Sequence, residues 1–395
     1  MIRQGEAVVT RVGAGLSRAN EAMAAGREAG RAAAAAVGGA GVDLAFLFLS
    51  AHHLDDAEAA VACVLHELRP RHLVGCVADG VVAGERELEG GPGAAVWAAV
   101  LPEDADISVF HALAIRGEAG TVVTGVPPLE EPDIVVLLAE PYSFPAASFL
   151  AKLNTEQPGL PVVGGLAAGA GRPGEGALIV EDRVVTEGAV GVAVTGAPVI
   201  TVVSQGCAPI GRDSVITSAE GNVVHELAGR PALIRLQREI ASLTPHERAL
   251  ASRGVLAGLV IDENRSEYAP GNYLMRALLG GDEDSGSVVV GETVRVGQTL
   301  RFHVRDAATA DADLNAALAH ALAPGHRSAG ALLFTCNGRG TQLFPDPDHD
   351  AAAVSRALGS DSVAGFFAAG EIGPVGGRTF VHGYTATLAV FLESP

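Results

Sequence analysis

Cysteine is scarce in this 395-residue chain, and the four present, Cys63, Cys76, Cys207 and Cys336, stand far apart without a CxxC pair. That spacing excludes a small disulfide scaffold, argues against a zinc ribbon or a redox motif, and fits reduced thiols in a cytoplasm. Positive charge is also short. Lys152 is the only lysine, and 27 basic residues against 46 acidic ones leave a formal net charge of −19. On average such a surface repels the backbone of a nucleic acid and an anionic membrane. Long hydrophobic runs are missing too: the longest, over 32–42, 91–101 and 160–170, are rich in Gly, Ala or Pro and stop short of the roughly 20 residues of a spanning helix. The first residues carry Glu6 and no apolar core of secretory length, so neither a signal peptide nor membrane insertion is expected.

What remains is a chain with 48% hydrophobic and 18% charged residues, too apolar for disorder and long enough for two to three domains at roughly 150 residues each. The first forty residues read as a strand from Ala7 to Val12, a turn at Gly13 and Gly15, and an alanine-rich helix from Ser17, its cap, to Val37. Beyond them one pattern recurs. An apolar strand, a helix and a second strand run into G-x-x-A-x-G, spelled Gly75–Gly80, Gly164–Gly169 and Gly365–Gly370, and each is followed by a polar reversal and another apolar strand. A fourth, eroded copy is read over 255–304, with a helix started by Pro270 and running through Tyr273 to Leu278. The expected fold class is therefore α/β, in two related domains of repeated strand–helix–strand–hairpin units whose mixed sheets are flanked by helices. The expected division is an N-terminal domain over 1–210 and a C-terminal domain over 211–395.

Glycines at a strand-to-loop junction allow close approach of a backbone or a ligand, and open α/β sheets bind ligands beyond the carboxyl ends of their strands. In the third copy Cys336, Asn337, Gly338, Arg339 and Gly340 leave one strand, while Gly370, Glu371 and Gly373 leave its expected parallel neighbour and His382 follows. Both loops are then expected on one edge of the sheet. Arg339 would grip a carboxylate in a bidentate fork and Glu371 an ammonium, which suits a small zwitterion. The plainer alternative is an Arg339–Glu371 salt bridge tying the loops together.

At three segments the residues resemble a known family. Thr201-Val-Val-Ser-Gln-Gly-Cys-Ala-Pro-Ile-Gly211, Leu333-Phe-Thr-Cys-Asn-Gly-Arg-Gly340 and Ala364-Gly-Phe-Phe-Ala-Ala-Gly-Glu-Ile-Gly-Pro374 are similar to segments of the FIST proteins, named for F-box and intracellular signal transduction. Tyr273-Leu-Met-Arg276, Arg305-Asp306 and His382-Gly-Tyr-Thr385 fit the same pattern. The resemblance implies a sensory module that binds small ligands, amino acids among the candidates, in proteins often joined to output domains. With no room for such a domain beside the two halves, the expected signal leaves through a separate protein partner or through oligomer contacts. The sequence sets no oligomeric state and points to no cofactor.

Two rival classes stay open. A thiol enzyme would use Cys336 with His382 and Glu371, and an interaction scaffold would bind no ligand at all. His52-His53 with Asp55-Asp56, and Asp346, Asp348, His349 and Asp350, have side chains compatible with a divalent ion but read better as helix-capping clusters. Val12-Gly13-Ala14-Gly15 opens like a dinucleotide fingerprint, yet Arg18 stands where its third glycine belongs.

Overall fold

The glycines of the opening segment belong to a strand. In a computed structural model, which describes residues 10–393 apart from 40, 118–119, 170, 270 and 324, β1 (Arg11–Ser17) contains both Gly13 and Gly15, and helix α1 (Ala22–Ala36) lies across it. A Cβ on Gly13 would stand 2.6 Å from the Ala33 carbonyl oxygen, and one on Gly15 2.1 Å from that of Ala29. Close packing against the alanine face of α1, rather than a turn, is what these glycines serve. The helix starts later than the expected Ser17 cap. Glu21 is its N-cap, and Ser17 Oγ donates instead to the Glu28 carboxylate at 2.5 Å. Residues 7–9 of the expected strand lie outside the described residues.

The repeated unit follows. Its first copy is β2 (Leu44–Ser50), α2 (Ala57–Leu68) and β3 (His72–Ala78), a hairpin of β4 (Val81–Ala83) and β5 (Arg86–Leu88), and the return strand β6 (Ala94–Val100). After β7 (Asp106–Gly117) and β8 (Gly120–Thr124) comes the second: β9 (Ile134–Ala139), α3 (Ala146–Glu156), β10 (Val162–Leu166), the hairpin β11 (Leu178–Val180) and β12 (Arg183–Val185), and β13 (Ala189–Thr195). β14 (Val199–Ser204) then leads into β15 (Cys207–Glu220), β16 (Val223–Leu227), β17 (Arg230–Pro231), α4 (Ala232–Ser242), α5 (Pro245–Ala251), β18 (Val255–Val260), β19 (Tyr273–Asp282), β20 (Ser287–Val290) and β21 (Thr299–Arg305). Helix α6 (Ala307–Ala321) precedes the third copy: β22 (Ser328–Cys336), α7 (His349–Leu358), β23 (Val363–Ala368), the hairpin β24 (Glu371–Val375) and β25 (Arg378–His382), and β26 (Ala386–Leu392).

In every copy the two strands flanking the helix pair in parallel, and the return strand lies antiparallel to the first. The leading glycine of each G-x-x-A-x-G sits within the second strand, opposite Leu47, Leu137 or Leu333. A Cβ there would stand 1.9, 2.0 or 1.6 Å from that leucine's carbonyl oxygen, so these glycines meet the same steric demand three times. Each hairpin then leaves its own sheet. β4 pairs with β23, β11 with β3, and β24 with β10, so the hairpins are exchanged in a closed cycle and cover sheet edges that would otherwise be open. The inner faces share one apolar core. Phe46, Phe48, Trp97, Phe334, Phe366 and Phe391 meet there with Val136, Leu138 and Val190, all 0% exposed, each large side chain contributing about 1.5–3 kcal/mol by leaving water.

The expected fourth copy is something else. Tyr273 to Leu278 is strand, because its burial alternates and it pairs antiparallel with β18; Pro270, its expected helix start, lies outside the described residues. The ladder β15-β21-β18-β19-β20-β16 is antiparallel at every step, and β16 also pairs with β15. The strands thus close a six-stranded ring around Ile210, Leu227, Ala257, Val288, Leu300 and Phe302.

The chain divides into two compact units, one of residues 1–203, 315–381 and 385–395 with the three repeats, and one of residues 204–314 and 382–384 with the barrel. No single cut of the chain yields these units, and the division into an N-terminal domain over 1–210 and a C-terminal domain over 211–395 stands as a proposal. The class is α/β with mixed sheets flanked by helices. Among the described residues no helix is long and apolar enough to cross a membrane.

Candidate functional site

The two loops singled out in the third repeat do meet. Cys336 ends β22 and Glu371 opens β24, and the thiol and the Arg339 charge both act on the Glu371 carboxyl. Burial pushes that carboxyl up to about 7, against the opposing hydrogen bonds from Thr385 and Cys336 and the pull of Arg339. Thr385 donates to Glu371 Oε2 from its backbone N–H at 3.0 Å and its hydroxyl at 2.8 Å. Arg339 corrects the expectation. Its side chain is 0% exposed, and its fork goes to Asp350, Nε to Oδ2 at 2.6 Å and Nη2 to Oδ1 at 2.8 Å, with Phe344 stacked beneath. Burial alone would raise Asp350, but the Arg339 charge and hydrogen bonds from Arg339, His349 and Thr335 hold it well below the usual carboxylate range. A guanidinium so enclosed is a fixed internal cation, held by Asp350 while its charge also pulls on Glu371.

The other expected residues serve the same closure. Asn337 Nδ2 donates to Asp79 at 2.5 Å, and Gly338 N–H points to the Cys336 sulfur at 3.3 Å. Gly340, at φ +52°, lies where a Cβ would meet the Glu89 carboxylate that accepts from Thr341. Gly370 accepts from Leu166 N–H at 2.8 Å, and Gly373 abuts Thr387. His382 is buried and belongs with residues 383–384 to the barrel unit. Asp348, from the acidic run weighed as a metal cluster, pairs with Arg86 at 2.8 Å and accepts from Glu87 N–H. Among the described residues no group of His, Cys, Asp and Glu is arranged to hold a metal.

The barrel unit holds a different kind of place. Along β21 the side chains alternate: Leu300, Phe302 and Val304 join the barrel core, which turns Arg301 and His303 to the opposite face. There they line a cavity of about 520 Å³ with Gln205 and Cys207 from the start of β15, Tyr273 and Met275 from β19, and Ala308, Ala312 and Asp313 from α6. Gly258 on β18 makes room for the imidazole, since a Cβ would stand 2.6 Å from His303 Nδ1. Burial takes His303 down to about 4, so the ring is neutral. Its Nδ1 lies 3.1 Å from the Arg301 carbonyl oxygen, which can only accept, so Nδ1 carries the proton and Nε2 is left as an acceptor. Tyr273, pushed up to about 12 by burial and by its hydrogen bond to Asp213 at 2.7 Å, stays protonated.

Two enclosed polar atoms of these lining residues lack partners. Gln205, 5% exposed, donates from Nε2 to the Tyr273 carbonyl at 2.6 Å, which fixes its amide, while its Oε1 accepts nothing. Arg301 Nε is buried without an acceptor, and among the described residues Arg301 has no ion pair. Beside Gln205, Asp313 Oδ2 accepts from Ser204 Oγ at 2.7 Å and Gln205 N–H at 2.9 Å. Orphaned buried polar groups are uncommon in native proteins. A mostly apolar cavity lined by one guanidinium, Arg301, and one carboxylate, Asp313, has the pattern of a small-molecule site.

Family models for the FIST N domain and the FIST C domain match residues 43–230 and 232–374, together most of the chain. The chain belongs to the FIST family. The two FIST segments meet at Pro231, so the barrel takes β15 and β16 from the first and β18 to β21 from the second. FIST domains are sensory domains of signal-transduction proteins. An uncharacterized protein of Mycobacterium tuberculosis (strain ATCC 25618 / H37Rv) is 44% identical over 386 residues, 97% of this chain and 100% of its own length. One of Mycobacterium bovis (strain ATCC BAA-935 / AF2122/97) is 42% identical over 97% of this chain and 99% of its own.

The sequence reading missed Gln205, Arg301, His303 and Asp313 as site residues. A signal was present for three. Gln205 lies inside the family-like segment 201–211, and the alternation Leu300-Arg-Phe-His-Val304 puts Arg301 and His303 on one face of a strand. Asp313 had none, since α6 is brought to the strand ends by the fold alone.

Proposed function

We propose that this FIST protein is a cytoplasmic sensory module that binds a small ligand, an amino acid or similar metabolite, in the cavity of its barrel unit and signals through a separate partner. One observation carries the reading: Arg301 and Asp313, one cation and one anion, line the same otherwise uncharged cavity. A ligand with a carboxylate at Arg301 and an ammonium at Asp313 would answer both charges. Four buried free cysteines suit a reducing compartment.

The test is a thermal-shift screen of amino acids and common metabolites against the wild-type chain and Arg301→Met. A ligand present at about 100 times its Kd stabilises by about 2.7 kcal/mol. The expected outcome is a rise in melting temperature with at least one zwitterionic metabolite, lost in the variant. No rise with any compound would return the protein to the scaffold class.

A further inference from the structure

We infer that the ligand of the barrel-unit cavity is an α-amino acid with an uncharged, apolar side chain, and that acidic and basic amino acids are excluded. This rests on the ligand-binding reading above and narrows it. Among the described residues that line the cavity, one side chain is cationic, Arg301, and one anionic, Asp313. An α-carboxylate on Arg301 and an ammonium on Asp313 use both.

No charge is then left in the wall to meet a third. The remaining boundary is uncharged: Pro209, Tyr268, Met275, Ala308 and Ala312 are among it, with the hydroxyls of Tyr273 and Thr309 and a histidine that burial keeps neutral and whose Nδ1–H is taken by a carbonyl. Neutral His303 offers an acceptor and no positive charge, so it cannot rescue an acidic side chain. An ionised side chain would leave water for that surface without a counter-charge, which is costly, whereas an apolar one gains by burial.

The experiment is calorimetric titration of the wild-type full-length chain, so no variant has to fold. Leucine, methionine and phenylalanine are compared with aspartate, glutamate, lysine and arginine, and with leucinamide and N-acetyl-leucine, which lack the free carboxylate and the ammonium. Expected are binding of at least one apolar amino acid, at least about 100-fold weaker binding of all four charged ones, and at least about tenfold weaker binding of both blocked leucines, about 1.4 kcal/mol per tenfold step. A charged amino acid binding within tenfold of the best apolar one overturns the inference and leaves the sensory reading in place. A blocked leucine binding as well as leucine overturns the assigned ends. No binding by any compound overturns the inference together with the amino-acid reading it rests on.

Discussion

Replacing Asp350 by alanine removes the counter-charge of a guanidinium that has no exposed surface. Arg339 Nε and Nη2 lose acceptors at 2.6 and 2.8 Å, and Thr335 Oγ1 loses one at 2.7 Å. Breaking a buried pair by removing one partner costs about 3–5 kcal/mol, while removing both charges together with apolar residues of similar size is often near neutral. Asp350→Ala should therefore lower the stability of the repeat unit by about 3–5 kcal/mol, with the midpoint temperature falling by on the order of 10 °C. The double variant Arg339→Met, Asp350→Leu should recover more than half of that loss. The reporter is built in: Trp97 is the single tryptophan and lies 0% exposed in that unit's core, so urea unfolding followed by its fluorescence reads this unit. A single-variant cost below about 1 kcal/mol, or a double variant no more stable than Asp350→Ala, would refute the reading of Arg339 as a fixed internal cation.

Two further outcomes follow from the repeat unit. Gly365→Ala places a Cβ 1.6 Å from the Leu333 carbonyl oxygen, a collision with backbone that cannot move without parting β22 from β23, so the variant should be recovered unfolded or with more than about 3 kcal/mol lost; a chain with wild-type circular dichroism and midpoint would contradict it. Glu371 titrates near 7 when folded against an ordinary value of 4.5. A folded value raised above the unfolded one means that its contribution is complete below pH 4.5 and declines as pH rises toward 7, on the order of 1 kcal/mol for each pH unit crossed. Urea midpoints of the wild type should fall across that window relative to those of Glu371→Gln, and parallel pH profiles would remove the claim.

The three repeats were legible because each is a local statement: an apolar run, a helix, a second run and a glycine that must touch its neighbour's backbone. The exchange of hairpins was not, since β4 pairing with β23 joins residues 81–83 to residues 364–366 and leaves no periodic trace. Tyr273 to Leu278 misled because a short apolar stretch reads equally well as helix or strand, and only its pairing with β18 decides. At the candidate site, the meeting of Cys336 with Glu371 was readable from parallel strand ends, while the capture of Arg339 by Asp350 depends on the placement of α7. Arg301 and His303 were hidden for a related reason. A strand's alternation says that two side chains share a face, and only the closed barrel shows that the face borders a cavity.

The most direct measurement is a crystal structure of the full-length chain grown with the tightest-binding apolar amino acid from the titrations. The expected result is density for that molecule in the barrel unit, its carboxylate within hydrogen-bond distance of Arg301 and its ammonium beside Asp313. Density lodged instead between Cys336 and Glu371, with Arg339 turned away from Asp350 to meet it, would contradict the account.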